Sequence, residues 1–186
     1  MSFMSAKNLL IVWFVFLSMA MTRGQDPMLM DSLLQIAKSG RTKEAALAYK
    51  DLAMHTAQDS LSRHLYFARK GIEIARVVRD GLTEANLYMN MGVAFDIADK
   101  FSEAIAYYDT AQILFQQIDD VDYWLASLHI NYGAAYYYAG YKNLALEYWL
   151  KALQEIDPLA DDVNYGYLLK NISTSYEALG KYQDAI

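Results

Sequence analysis

Residues 131–153 read NYGAAYYYAGYKNLALEYWLKAL. Small residues (Gly133, Ala134, Ala135, Ala145) sit among rings (Tyr132, Tyr136, Tyr137, Tyr138, Tyr148, Trp149), with no proline or cysteine in between. Such a stretch can be a cofactor box, a stacking surface for a sugar or a base, or the seam between two helices. Recurrence elsewhere in the chain separates these readings.

The pattern recurs. Gly92 in MNMGVAF and Gly133 in INYGAAY are 41 residues apart, and 40 further on KNISTSY puts Ser173 in the same slot. Three residues after the slot stand Phe95, Tyr136 and Tyr176, and twelve after it Ala104, Ala145 and Ala185. Sixteen after it come Tyr108 and Trp149, nineteen after it Ala111 and Ala152, and the turn residues Asp99, Gly140 and Gly180 follow each slot. Agreement of several columns at one period marks a structural repeat. Within a copy, EANLYMNMGVAFDIA and WLASLHINYGAAYYYA space small and aromatic residues by three and four, as a helix requires. FSEAIAYYDTAQILFQQI and NLALEYWLKALQEI follow as second helices, the latter stopped by Asp157-Pro158. The expected fold is all-α, an α-solenoid of helix-turn-helix hairpins. The rings of 131–153 are then mostly interhelical packing, with Gly133, Ala134, Ala135 and Ala145 small so that helices approach closely.

These residues resemble the tetratricopeptide repeat. Tyr88, Gly92, Phe95, Ala104, Tyr108 and Ala111 fill its slots in one copy, and His129, Gly133, Tyr136, Gly140, Ala145, Trp149 and Ala152 in the next. The family's common period is about 34 residues, so longer helices or inter-repeat turns are expected here, around DDVDY and PLADDVNYG. The expected organisation is a signal peptide over 1–24, a capping helix and linker over 25–44, and a degenerate repeat over 45–84. Repeats over 85–125 and 126–165 follow, then a truncated one over 166–186. In the degenerate copy Leu52 takes the small slot, with His55, His64 and Gly71 at the later positions.

The N-terminal expectation rests on Lys7 ahead of an apolar run from Leu9 to Met21, too short for a bilayer span of about 20 residues. An uncleaved anchor and a buried helix are the alternatives to a cleaved export signal. Export would place the protein in the periplasm or on the outer face of an inner membrane. The formal charge is −6; the first 24 residues hold Lys7 and Arg23 and no acid, so without them the 16 basic residues fall to 14 against 22 acidic ones, or −8. That balance argues against a nucleic-acid partner, since no basic stripe is present to displace counterions. With no cysteine, disulfides and thiolate chemistry are excluded.

The resemblance implies that positions flanking the small and aromatic slots look into a concave groove. These are Met89, Val93, Asp96 and Ile97; Ile130, Ala134, Tyr137 and Tyr138; and Lys170, Thr174, Glu177 and Ala178. Tyr137 and Tyr138 either stack on a ligand or cover a neighbouring helix. Asn90, Asn131 and Asn171, each two residues before the small slot, form a ladder that either binds an extended peptide backbone or holds the register of adjacent helices. Lys170 alone does not make the carboxylate clamp of chaperone-binding members. His55, His64 and His129 are not spaced for a metal, the acidic runs 119–122 and 161–162 lack the ligand pattern of a calcium loop, and no phosphate loop or nucleophile elbow occurs. Asn171-Ile172-Ser173 is a glycosylation sequon set inside a predicted helix.

The expected function is a non-catalytic protein- or peptide-binding scaffold without cofactor, touching a membrane only through its N-terminal segment or a part beyond residue 186. Because the sequence stops a few residues into a helix, it reads as the N-terminal part of a longer protein. The alternative is the sensory input region of a signal-transduction protein, since residues 31–186 also resemble the exported repeat regions ahead of bacterial histidine kinases and related regulators.

Overall fold

A computed structural model describes residues 27–57, 60–157 and 162–180, so the N-terminal apolar run and the last six residues lie outside the described residues. Those described form eight helices and no strand. They are α1 (Pro27–Ala37), α2 (Lys43–Thr56), α3 (Leu61–Val78), α4 (Gly81–Ile97), α5 (Phe101–Phe115), α6 (Asp122–Tyr138), α7 (Lys142–Glu155) and α8 (Asp162–Ala178). No described helix is long and apolar enough to cross a membrane.

Local chemistry sets the helix ends. Thr42 caps α2 by accepting from the Ala45 N–H at 3.1 Å, and Asp80 caps α4 through the Thr83 N–H at 3.2 Å. The Asp80 cap starts α4 at Gly81, three residues before the apolar spacing predicts. At the C-termini the chain turns through the left-handed region at Arg79 (φ 56°), Asp99 (φ 59°) and Gly140 (φ 91°). Each turn is closed by the same reverse hydrogen bond, from Asp80 N to Ala75 O at 2.9 Å, Lys100 N to Phe95 O at 2.9 Å and Tyr141 N to Tyr136 O at 2.8 Å. The turn column of the repeat is therefore a column of helix C-caps, and the aromatic column supplies the accepting carbonyl in two of the three. α7 ends at Glu155, with Ile156 already extended; Pro158 itself lies outside the described residues. The second helix expected to reach Ile118 stops at Phe115, where Gln117 N and Ile118 N bond the carbonyls three residues back. The first helices α4, α6 and α8 each have 17 residues, and between repeats the connection from α5 to α6 takes six residues (116–121), against three (98–100) within the hairpin of α4 and α5.

The described residues divide into two compact units, one from Pro27 to Asp120 and one from Val121 on. In the first, α1 to α5 pack in chain order, each on the next, around Leu52, Phe67, Ile72, Leu87 and Met91. In the second, α6 packs on α7 and α7 on α8 around Ile130, Leu146, Trp149, Leu168 and Ile172. Trp149 is fully buried. A ring of its class hides about 150–250 Å², on the order of 4–6 kcal/mol at about 25 cal/mol per Å² before entropy. Surface ion pairs contribute far less. Arg76, more than half exposed, bridges α3 to α4 through Glu84 at 2.7 Å and the Tyr88 hydroxyl at 3.0 Å, a geometry worth about 0–1 kcal/mol in solvent.

Close helix approach is what the small slots provide. A Cβ on Gly92 would overlap the ring of Tyr108, one on Gly133 would overlap the indole of Trp149, and one on Gly71 would come to 2.8 Å from Leu87 Cδ1. Gly71 thus does in α3 what Ala111 and Ala152 do in α5 and α7; both alanines are fully buried.

Candidate functional site

The residues expected to line a groove do not share one environment. On α4, Met89, Asn90 and Val93 are buried, at 3%, 4% and 4% exposure, so their surfaces are committed to packing. Asp96 is partly exposed. Its Oδ2 accepts from the Tyr108 hydroxyl at 2.6 Å, while Oδ1 is buried without a partner. Burial pushes this carboxyl up to about 7, and the Tyr108 hydrogen bond opposes the shift only in part.

On α6, Ile130, Asn131 and Ala134 are buried. Tyr137 and Tyr138 are half-buried and meet edge to face at 5.8 Å, and Tyr137 also lies 5.7 Å from the Trp149 ring. Tyr137 packs against the core of its unit. The other rings of the opening stretch form a ladder, with Tyr148 stacked on Tyr132 at 4.6 Å and on Tyr136 at 5.3 Å. His129 lies 5.8 Å from Tyr148 on one side, and the Lys151 ammonium is 4.6 Å from the Tyr148 centroid.

On α8, Lys170 and Glu177 are exposed and Thr174 is half-buried, its hydroxyl donating to the Lys170 carbonyl at 2.9 Å. Asn171 is 1% exposed, and neither its Nδ2 nor its Oδ1 has a partner; one turn on, the fully buried Ser175 hydroxyl has none either. That burial also closes the sequon, because Asn171 offers no accessible amide to a glycan. The asparagine ladder is therefore an interior feature of α4, α6 and α8.

Two of the histidines are structural. His64 is buried, its Nδ1 donates to the Ala53 carbonyl at 2.7 Å, and burial lowers its pKa, which keeps it neutral. His129 Nδ1 contacts Glu155 Oε2 at 2.6 Å and ties α6 to the end of α7. Among the described residues no group of three or more histidine, aspartate or glutamate side chains is placed to hold a metal.

Sequence reasoning missed the pairings Asp96–Tyr108 and His129–Glu155. The columns were visible, four and sixteen after the slot in the first case, but the rotation of the two helices that makes them meet has no signature in residue type.

No protein-family model matches the sequence, and no curated protein matches it. Among solved structures, BtubC (BKLC) from P. vanneervenii matches with a TM-score of 0.68. The match has 22% identity and covers 88% of this chain and 68% of that one. At that identity the likeness bears on fold. The chain is an all-helical repeat of helical hairpins with a tetratricopeptide-like fold.

Proposed function

We propose that the chain is a peptide-binding scaffold without chemistry of its own, in which Asn131 and Asn171 read an extended backbone. The observation that carries this is the amide of Asn171, buried with both donor and acceptor unpartnered. A buried polar group without a partner costs about 1–3 kcal/mol, and an extended peptide offers one N–H and one C=O per residue to such an amide. Asn131 stands at the same register one repeat earlier, at 5% exposure, so binding requires the covering side chains to shift. The test is selection of peptides from a displayed library, followed by calorimetry of the best one. Asn131→Ala and Asn171→Ala should each weaken it about tenfold or more, in line with the loss of a buried hydrogen bond. If the asparagines only hold register, the variants lower the melting temperature and leave the affinity of the folded protein unchanged; that outcome, or an empty selection, refutes the reading.

We also place its action outside the cytoplasm, on the strength of the apolar run Leu9–Met21 behind Lys7. Fractionation of the tagged protein tests this, and recovery from the cytoplasm with residues 1–24 intact would refute it.

A further inference from the structure

The chain's charge is unevenly placed. Residues 27–79 hold nine basic side chains against five acidic ones, or +4, and residues 80–186 hold five against sixteen, or −11. No arginine follows Arg79. α3 concentrates the positive charge, with Arg63, Arg69, Lys70 and Arg76 against Glu73 alone. Its buried residues His64, Phe67, Ala68, Gly71, Ile72 and Ala75 take one side of the helix, and the opposite side faces solvent. There Tyr66 is 57% exposed, its ring held edge to face by the buried Phe67 at 5.4 Å. A groove of about 410 Å³ runs along this side, lined by Ser62, Leu65, Tyr66, Arg69, Lys70 and Glu73. Glu73 engages Lys70 at 3.0 Å and Glu84 engages Arg76 at 2.7 Å, whereas the exposed Arg63 and Arg69 form no ion pair among the described residues. An exposed ring between two unpaired guanidinium groups has the composition that protein interfaces favour.

The chain carries the complement of this face itself. The connection from α5 to α6 runs into the new helix as Asp119-Asp120-Val121-Asp122-Tyr123. All three carboxylates are exposed, none pairs with a cation among the described residues, and Tyr123 beside them is 49% exposed. A guanidinium pairs with a carboxylate through fixed parallel donors and also lies flat on a ring, so an acidic run with a ring at its end matches arginines with a ring between them. Repulsion between two acidic molecules is screened beyond about 8 Å at physiological salt, which leaves the patches in contact to decide. Because the basic face and the acidic run are different surfaces, the contact they make is head to tail.

We propose that the outer face of α3 docks the acidic run 119–122 of a second copy of this chain, with Arg63 and Arg69 on its carboxylates and Tyr66 against Tyr123. The contact uses neither Asn131 nor Asn171, so it stands apart from the peptide reading. Sedimentation velocity of the full chain tests it at about 0.01 M and about 1 M salt, between which the screening length falls from about 30 Å to about 3 Å. Mass should rise with protein concentration at low salt and stay that of a monomer at high salt. Arg63→Glu with Arg69→Glu should abolish the association, and so should Asp119→Lys with Asp122→Lys. Asp120 is left in place because its backbone is left-handed, with φ 56°. A mixture of the two variants should form a one-to-one pair and nothing larger, since one brings an intact acidic run and the other an intact basic face. All four substitutions in one chain should restore self-association, with helical circular dichroism as the check on folding. A monomer at low salt up to about 1 mM, near the weakest specific affinities, overturns the proposal. So does association unmoved by either pair of substitutions, which is what the apolar run Leu9–Met21 would give, or a mixture that does not pair.

Discussion

Gly133 lies so close beneath Trp149 that a methyl group at residue 133 would overlap Cδ1, Nε1 and Cε2 of the indole. The indole N–H then reaches past it to donate to the Ile130 carbonyl at 3.1 Å. One repeat earlier Gly92 and Tyr108 stand in the same relation, with the hydroxyl reaching Asp96 instead. The sixteen-residue spacing in sequence is thus a contact in space, and its two halves are complementary in volume.

Gly133→Ala should destabilise the protein by about 1–3 kcal/mol, the usual cost of overpacking, even though alanine gains about 1 kcal/mol over glycine within a helix. Urea unfolding followed by circular dichroism reads the change. Adding Trp149→Leu, which empties the space, should recover part of the loss relative to the sum of the single variants, as contacting residues are coupled. Strict additivity would show that the clash is relieved elsewhere.

Gly166 gives the opposite expectation. It lies within α8, and nothing stands within 4 Å of a Cβ built there. Gly166→Ala should stabilise by up to about 1 kcal/mol through helix propensity and reduced freedom of the unfolded chain. A fall in the urea midpoint would mean that this part of the helix is not formed in solution.

At Gly140 space is open as well, but φ is +91°. Gly140→Ala should cost about 1–2 kcal/mol from left-handed backbone strain alone. It should leave the near-ultraviolet signal of Trp149 unchanged, because no side chain is crowded. Loss of that signal would point to repacking and away from backbone strain.

Much of the fold is legible in the residues themselves. The period, the hairpins and the small slots are read from residue type because glycine, alanine and the rings differ in volume, and volume decides how closely helices pack. The left-handed turn column is legible for the same kind of reason at Gly140, less so at Asp99, where aspartate takes the conformation glycine prefers. Illegible is the depth of each groove position. Met89 and Tyr137 are both expected from the repeat pattern to line a groove, yet one is 3% exposed and the other half-buried, a difference that residue type does not encode.

Asp96 carries a pH dependence whose sign follows from its setting. In the unfolded chain its carboxyl titrates near 3.8, and in the folded protein burial raises it to about 7. Between those values the native state holds a proton that the unfolded chain has released. Stability therefore falls as pH rises through this window, and the penalty is complete above about 7. A tenfold change in proton affinity corresponds to about 1.4 kcal/mol, and with Asp96 partly exposed a total of about 1–3 kcal/mol is expected. Asp96→Asn keeps an acceptor for the Tyr108 hydroxyl and removes the charge. It should flatten the stability profile between pH 4 and 7 and raise the melting temperature at pH 8, with little effect at pH 4. Melting curves at four pH values decide it: a wild-type profile that rises toward pH 7 and an unaltered slope in the variant would show that Asp96 is ionised and solvated throughout.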